Sequence, residues 1–272
     1  MSDLPKIAVL GCGTMGQAII GGLLANGAIT VDQVSASVRR AERAEKLSEK
    51  LGINATTNSV EAASAGDIVL LCVKPQTASE LLSDPALRDA LAGKVLISIC
   101  AGVRLAQFDE WLPETSLLRA MPNTPSIIQQ GMTVVSPGPR ASDEHTAIAV
   151  RIFEGVGRVR VLEEKHLDAV TGLSGSGPAF ICVMIESLSD GGVMMGLPRD
   201  VAVELAAQTV QGAARLVLDS GLHPAALKDQ VTTPAGCTIA GLLTMEDRGI
   251  RSTLARTIEE ATRVAAGLGG PK

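Results

Sequence analysis

The chain has 272 residues, 46% of them hydrophobic, which is enough to bury a full core in one large or two modest globular domains. Its 24 basic and 29 acidic side chains give a net charge of -5, and only 1% of the residues are aromatic. The sequence therefore lacks the positive surface and the stacking side chains that a nucleic-acid-binding protein needs.

Targeting signals and metal-binding patterns are also missing. The first residues form no basic, apolar leader, and no later stretch has the length needed to span a bilayer, so we expect a cytoplasmic protein without membrane contact. The cysteines follow neither disulfide nor zinc spacing, and none of the three histidines has a second ligand nearby. We predict no metal site, surface or capping histidines, and reduced, mostly buried thiols.

The first part of the chain has the pattern of a parallel sheet. Between residues 6 and 160, short apolar runs rich in β-branched residues alternate with amphipathic stretches. The clearest predicted strands are Ile7–Leu10, Gln33–Ser37, Ile68–Val73 and Val95–Ile99. The last two are apolar runs without polar alternation, as strands covered by helices on both faces should be. This predicts a Rossmann-type, doubly wound, mostly parallel sheet in a dinucleotide-binding domain of residues 1–162.

A glycine-rich turn follows the first predicted strand and opens a predicted helix over Met15–Ala25. In this context a Gly-x-Gly-x-x-Gly pattern is a fingerprint for dinucleotide binding, because it gives a tight turn, close approach of the pyrophosphate and close helix packing. A purely structural glycine turn is the alternative. The residues predicted to bind the cofactor here are Gly11, Cys12, Gly13, Thr14, Met15 and Gly16.

The residues after the second strand indicate which dinucleotide is bound. NAD sites place an acidic residue there for the ribose hydroxyls, whereas this chain has Ser37, Arg39 and Arg40. Two guanidinium groups and a hydroxyl can hold a 2′-phosphate through charge-assisted hydrogen bonds, which favours NADPH and leaves NADH as a second accepted cofactor. Alternatively, the arginines only form the solvated start of the next helix.

Two further segments lie where strands end. Val73, Lys74 and Pro75 follow one buried strand, and Cys100 and Ala101 follow the next. Open α/β sheets bind their ligands at this carboxyl edge, so we expect both segments to flank the nicotinamide. Lys74 has the alternative of being a solvated loop lysine.

The remainder of the chain, residues 163–272, is predicted to be an all-helical domain. Gly and Pro punctuate it at 174–178, 196–198, 221–224 and 234–236. The predicted helix Val201–Asp219 has only a narrow polar stripe, and Ala179–Ile185 is apolar on all sides. Such helices have more apolar surface than one small bundle can bury, which predicts contact with a second chain.

Two loops of small residues in this half precede helices: 173–179 and 231–238. Backbone amides and hydroxyls at a helix start suit a carboxylate, although ordinary helix caps are the alternative. Hydroxy-acid dehydrogenases of similar architecture have a lysine shortly after such a loop, but here Lys228 is the next lysine after Lys165. A protonated imine needs no such proton donor before it accepts hydride, so the sequence favours a C=N substrate.

Taken together, these motifs resemble the pyrroline-5-carboxylate reductase family across the whole chain. The resemblance lies in the order and spacing of the glycine fingerprint, Val73–Pro75, Met121–Pro125, Thr171–Ala179, Asp190–Val193 and, most specifically, Leu227–Leu242. It implies an oxidoreductase that transfers hydride from NADPH to the C=N carbon of pyrroline-5-carboxylate, the last step of proline biosynthesis. It also implies homodimers with interleaved helices, which assemble further in some members.

The resemblance assigns roles to individual residues. Thr238 would hydrogen-bond the substrate ring, and Thr233 with the amides of Ala235, Gly236, Cys237 and Thr238 would hold the substrate carboxylate. Asn58, Lys74 and Ala101 would line the cleft, with Thr238 and Lys74 nearest the chemistry. The chain departs from the family at Ala235, Cys237 and Gln230, which leaves substrate affinity and a substrate contact of Gln230 open.

Two other hypotheses are compatible with the residues. One is a reductase of another small cyclic imine acid, and the other is a non-catalytic NADPH sensor that uses its helical half to bind a partner. Relative turnover of different ring substrates separates the first from our main prediction, whereas NADPH binding without any turnover identifies the sensor.

Overall fold

The structure is a computed structural model that describes residues 4–269. Its strands are β1 Ile7–Leu10, β2 Val34–Ser37, β3 Asn54–Thr56, β4 Ile68–Leu71, β5 Val95–Ser98, β6 Ser116–Met121, β7 Gly131–Pro137 and β8 Gly157–Val161. Its helices are α1 Thr14–Ala25, α2 Ala41–Leu51, α3 Ser59–Ser64, α4 Pro75–Leu81, α5 Pro85–Leu91, α6 Leu105–Trp111, α7 Asp143–Glu154, α8 Leu167–Val170, α9 Gly177–Met194, α10 Arg199–Ser220, α11 Pro224–Gln230, α12 Cys237–Asp247 and α13 Ile250–Ala266.

The eight strands form one sheet in the order β3-β2-β1-β4-β5-β6-β7-β8. Every pair is parallel except β6 with β7, so the predicted doubly wound, mostly parallel sheet is confirmed. The strand order reverses direction between β1 and β4. Sheets of this kind bind ligands at such a reversal, beyond the carboxyl ends of the strands.

The sheet is covered on both faces, as the continuous apolar strands predicted. Odd-numbered positions of β1, such as Val9, pack in a cluster with Ile19, Ile20 and Phe153 from α1 and α7. Leu10 points to the other face and packs in a second cluster, with Phe108 and others from α3 to α6. Because side chains alternate along a strand, one strand supplies both layers of the core.

The described residues form two compact units. The first contains residues 4–176 and 259–269, and the second contains residues 177–258. All eight strands belong to the first unit, whereas the second is helical; α13 begins in the second and ends in the first. The domain boundary at 162/163 remains a prediction from the sequence.

The glycine- and serine-rich segment that begins at Ser174 is not a loop, which corrects the sequence prediction. The chain is helical from Glu164 to Met194, with a single wide π-turn at Thr171–Gly175. Pro178, which lacks an N–H group, follows this turn as the second residue of α9. Because the backbone is helical here, this segment does not offer a loop of free amides to a carboxylate.

The unbroken helix also corrects the expectation that no stretch of the chain is long enough to span a bilayer. By length and composition alone, Glu164–Met194 could cross a bilayer, since an 18-residue window has a mean hydropathy of 1.3 and only 6% of it is buried. A core or interface helix of a protein outside the membrane passes the same test, so this criterion does not identify a membrane span.

The helical unit exposes many large apolar side chains. In α9 and α10, Val183, Leu188, Leu205 and Leu216 are each more than half exposed, and Met194 is 88% exposed. Cys182 and Cys237 are also exposed, so the prediction of mostly buried thiols holds only for the first unit. An apolar surface of this extent in the described residues is typical of a protein–protein interface.

Candidate functional site

The ends of four parallel strands define the candidate site in the first unit. Leu10 is in register with Ser37 of β2 and Leu71 of β4, and Leu71 is in register with Ser98 of β5. The segments that follow these strands therefore start at the same sheet edge. These segments are the glycine-rich turn, the Arg39–Arg40 loop, Val73–Pro75 and Cys100–Ala101, as predicted from the sequence.

The three glycines of the turn have three distinct roles. Gly11 has φ 81°, and a Cβ there would lie 2.5 Å from Val73 Cγ1. A Cβ on Gly16 would lie 3.1 Å from Val9 Cγ1, so this glycine allows α1 to pack closely on β1. A Cβ on Gly13 would meet no atom closer than the Gly11 carbonyl oxygen at 3.9 Å, so no described residue beyond its chain neighbours fills the space above it. This open space is where a dinucleotide pyrophosphate approaches the backbone.

The start of α1 offers hydrogen-bond donors to this space. Gly13 is the N-cap residue and provides no side chain to cap the helix. The first amides of a helix have no intrahelical partners, so those of Thr14, Met15 and Gly16 point towards the opening above Gly13. Such amides, together with the helix dipole, suit an anion such as a phosphate group.

The end of β2 supports the prediction for the arginines but changes the role of Ser37. Arg39 and Arg40 are exposed, and neither guanidinium group forms an ion pair or hydrogen bond within residues 4–269. Ser37 is only 2% exposed, and its hydroxyl lies 3.1 Å from that of Ser59. Its carbonyl accepts hydrogen bonds from the amides of Gly11 and Cys12. Ser37 therefore anchors the glycine-rich turn, and its buried hydroxyl is poorly placed to hold a 2′-phosphate.

Lys74 and Asn58 both stand at helix starts. Lys74 is exposed and precedes α4, which begins with Pro75. Its ammonium group is not bonded to other described residues, so it is free to reach a ligand at the sheet edge. Asn58 caps α3, since its Oδ1 accepts hydrogen bonds from Val60 and Glu61 amides at 3.0 and 3.2 Å. Only its Nδ2 group remains for a ligand.

Three thiols lie beneath the site. Burial raises the pKa of Cys12 to about 12 and that of Cys100 to about 11, although a hydrogen bond from Ser98 opposes the latter shift. Burial also raises the pKa of Cys72, and its neighbours Cys12 and Cys100 add to this effect. All three thiols therefore stay protonated at neutral pH, so they act as packing groups and not as nucleophiles.

The segment after β5 is held on several sides. Cys100 Sγ donates a hydrogen bond to the Val73 carbonyl at 3.3 Å, which ties the two predicted cofactor segments together. Ala101 packs on a small apolar cluster of Met121, Val134 and Leu167. Gly102 has φ 76°, so the chain turns sharply there before α6. The loop is thus fixed in place next to the strand reversal.

The second predicted site, in the helical unit, is the loop between α11 and α12. Its cap residue Gly236 has no side chain, so the first amides of α12, from Cys237 onward, have no side-chain cap. The hydroxyls of Thr233 and Thr238 form no hydrogen bond within the described part of the chain. Two hydroxyls and a set of amides without partners form a group of donors that suits a carboxylate.

The loop also contains a strained residue. Ala235 has φ 55°, a left-handed conformation that favours glycine. This is one of the positions where the chain departs from the resemblance, and the conformation explains why a glycine suits it better. Gln230 is the exposed last residue of α11.

Sequence reasoning missed two sets of polar contacts that join distant segments of the first unit. Asn123 donates to the Ser174 carbonyl at 3.2 Å and accepts from the Met132 amide at 2.8 Å. Arg119 is 3% exposed and pairs with Glu164 at 2.8 Å. The only sequence signal for the ion pair was the arginine inside a largely apolar strand.

Among residues 4–269, no group of three His, Cys, Asp or Glu side chains could hold a metal ion.

Comparisons with known proteins agree with this arrangement. The family described as "Pyrroline-5-carboxylate reductase dimerisation" matches residues 164–268, and "NADP oxidoreductase coenzyme F420-dependent" matches residues 6–102. The chain is 44% identical to pyrroline-5-carboxylate reductase from Schizosaccharomyces pombe, covering 96% of this chain and 98% of that protein.

Solved structures give the same result. The structure of a pyrroline-5-carboxylate reductase from Coxiella burnetii superposes with a TM-score of 0.91 at 29% identity, covering 99% of this chain and 100% of that one. The pyrroline carboxylate reductase from Plasmodium falciparum, solved with NADP bound, gives a TM-score of 0.88 at 28% identity and covers 98% of each chain.

Proposed function

Because this chain belongs to the pyrroline-5-carboxylate reductase family, we propose that it reduces pyrroline-5-carboxylate to proline with NADPH. The observation that carries the proposal is the presence, in one chain, of a complete dinucleotide turn and an uncapped, hydroxyl-rich loop before α12. A protein that only sensed NADPH would need the first of these and not the second.

The cofactor fits the residues of the first unit. The opening above Gly13 accepts the pyrophosphate, and the amides at the start of α1 bind it. Arg39 and Arg40 bind the 2′-phosphate, and the segments Val73–Pro75 and Cys100–Ala101 enclose the nicotinamide end. When bound, NADPH supplies a hydride to the substrate.

The substrate is held by residues of the helical unit. Thr233 and the amides of Ala235, Cys237 and Thr238 bind its carboxylate, while the Thr238 hydroxyl accepts a hydrogen bond from the protonated ring nitrogen. The Gly236 amide, which was also predicted to bind the carboxylate, instead donates to the Thr233 carbonyl at 3.1 Å. With the imine protonated, the C=N electron pair moves to nitrogen as hydride adds to carbon, so no side chain has to donate a proton during that step.

The proposed assembly is a homodimer formed through the segment 164–268 that matches the dimerisation family. The exposed apolar side chains of α9 and α10 support this, because they require a covering surface. Assembly of dimers into a larger oligomer and a cytoplasmic location remain predictions from the sequence.

The test is steady-state oxidation of NADPH and NADH by the purified chain with pyrroline-5-carboxylate, followed by loss of nicotinamide absorbance. We expect turnover with NADPH and a product that co-migrates with proline. Faster turnover of a six-membered or sulfur-containing cyclic imine would favour the alternative substrate class. NADPH binding without turnover of any imine would refute the enzymatic proposal.

Replacing both Arg39 and Arg40 by alanine is expected to lower kcat/KM about 100-fold with NADPH and less than about threefold with NADH. Each lost charge-assisted hydrogen bond to the 2′-phosphate costs about 1.5 kcal/mol or more, and NADH lacks that phosphate. Lys46→Ala is the control, since it removes one positive charge from the same region but pairs with Glu42 at 2.6 Å. An equal loss with both cofactors would contradict the assignment.

Thr238→Ala is expected to lower kcat/KM for the imine about tenfold or more, because the hydrogen bond to a charged ring nitrogen is lost. Thr238→Ser keeps the hydroxyl and should retain most of the activity. Thr244→Ala is the control on the same helix, where the hydroxyl only donates to the Ala240 carbonyl at 3.1 Å. If Thr238→Ala behaved like Thr244→Ala, Thr238 would have no contact with the substrate.

A further inference from the structure

We infer that the turn after α13, and Gly269 in particular, positions the Cys100–Gly102 loop for binding the nicotinamide end of the cofactor. The inference rests on the proposed function, since it concerns the same site. Gly269 acts through Gly102 and not through a ligand contact, so it is a positioning residue.

The first observation is a backbone-to-backbone contact without room for a side chain. A Cβ on Gly269 would lie 2.2 Å from the Gly102 carbonyl oxygen and 2.7 Å from the Val103 amide nitrogen. In the other direction, a Cβ on Gly102 would lie 2.7 Å from the Gly269 amide nitrogen and 2.8 Å from Leu268 Cβ. Contacts below 3 Å involve backbone atoms on both sides, so any side chain at either position displaces one of the two segments.

The second observation is a hydrogen bond that joins the same two regions. Gln107 Nε2 donates to the Gly269 carbonyl at 2.8 Å, while Gln107 Oε1 accepts from the Arg104 amide at 2.9 Å. One side chain thus fixes the turn after α13 to the start of α6, immediately beyond the loop. Sequence separation gives no hint of this contact, because the two partners are 162 residues apart.

The position of the loop explains why this contact bears on the cofactor. Cys100 and Ala101 follow β5 beside the strand reversal, and Cys100 is bonded to Val73 at the end of the neighbouring segment. The glycine-rich turn and the Arg39–Arg40 loop lie at the ends of β1 and β2 instead. A displaced Gly102 therefore disturbs the nicotinamide end and leaves the phosphate and adenosine sites unchanged.

The test compares Gly269→Ala with Gly267→Ala. At Gly267 a Cβ would lie 3.5 Å from the Val264 carbonyl oxygen, an ordinary contact, so this variant controls for adding a methyl group to the same turn. For Gly269→Ala we expect a fall in kcat/KM for NADPH of at least about tenfold, because a shift of about 1 Å at a reacting group costs up to about 100-fold. Affinity for adenosine 2′,5′-bisphosphate, which has no nicotinamide, should stay within about twofold of the parent.

A second variant separates positioning from folding. Gln107→Glu keeps the acceptor for the Arg104 amide but replaces the donor to Gly269 by a carboxylate oxygen, which repels the Gly269 carbonyl. We expect it to weaken NADPH binding in the same direction as Gly269→Ala, without loss of adenosine 2′,5′-bisphosphate affinity. Binding is followed through the fluorescence of the reduced nicotinamide, so it requires no imine.

Two results would overturn the inference. One is a kcat/KM and an NADPH affinity of Gly269→Ala within about twofold of those of Gly267→Ala. The other is an equal loss of affinity for adenosine 2′,5′-bisphosphate, which would mean that the whole binding site is perturbed. If the parent chain binds NADPH but reduces no imine, the proposed function fails, whereas the binding comparison still decides this inference.

Discussion

Gly13→Ala is expected to weaken NADPH binding about 100-fold without destabilising the folded protein. The added methyl group occupies the open space above position 13, where the nearest protein atom is 3.9 Å away, so it meets the pyrophosphate and not the protein. Gly13 has φ -83°, outside the left-handed region that favours glycine. Losing two hydrogen bonds to a charged phosphate costs about 3 kcal/mol. Fluorescence titration with NADPH and a thermal melt measure the two effects separately.

Two other glycines of α1 serve as controls. At Gly21 a Cβ has no neighbour within 4 Å, so Gly21→Ala should leave NADPH affinity unchanged and should not lower the melting temperature. Gly16→Ala should lower the melting temperature, because its methyl group would lie 3.1 Å from Val9 Cγ1 at the helix–strand contact. If Gly13→Ala kept full affinity, the pyrophosphate could not lie above the turn, and the cofactor assignment would have to be revised.

The parts of the fold that depend on local pattern could be predicted from the sequence. Apolar runs gave β1 as Ile7–Leu10, and the glycine turn gave the start of α1 to within one residue. β4 ends at Leu71 and not at the predicted Val73, because Pro75 begins the next helix and the three residues before it form the turn. The predicted cofactor segments therefore follow the strands that they were expected to follow.

Local sequence patterns did not determine the backbone at Ser174–Pro178 or the hydrogen-bond partners of polar side chains near the site. The sequence suggested a loop at Ser174–Pro178, because glycine, serine and proline cluster there, but the segment is helical and follows a π-turn at Thr171–Gly175. The cofactor contacts of Ser37 and Asn58 stay predictions, and the structure adds that their side-chain oxygens bond to Ser59 and to the start of α3. Local patterns indicate which residues lie near a site but not which polar groups are already satisfied.

Contacts between distant segments could not be predicted at all. The turn containing Gly269 reaches Gly102 and Gln107, and Glu164 reaches Arg119 and Leu105, although nothing in either sequence segment indicates the other. Such contacts depend on the tertiary structure, because they join segments that are far apart in the sequence. In this fold they hold the loop after β5 from two sides, so the least predictable contacts support the proposed nicotinamide site.

Glu164→Ala is expected to destabilise the first unit by about 3 kcal/mol, the lower end of the range for breaking a buried ion pair, since the Glu164 side chain is 30% exposed. Its Oε1 accepts from Arg119 Nη1 at 2.8 Å and from the Leu105 amide at 2.7 Å. Arg119 Nη2 is already buried without a partner among the described residues, so the mutation leaves the buried guanidinium with no partner for Nη1 either. In a thermal melt the apparent Tm should fall by about 8 °C.

The neighbouring Glu163 provides the matched control, because it is 74% exposed and pairs with Lys165 at the surface. A hydrogen bond from Lys165 holds the pKa of Glu163 below its usual value. Because an ion pair this exposed contributes little to stability, Glu163→Ala should leave the Tm almost unchanged. The cost of Glu164→Ala comes from the unpaired Arg119 charge. Adding Arg119→Met to Glu164→Ala should therefore recover most of the lost stability. A double variant no more stable than Glu164→Ala would contradict this explanation, and the loss would then lie in the Leu105 hydrogen bond at the start of α6.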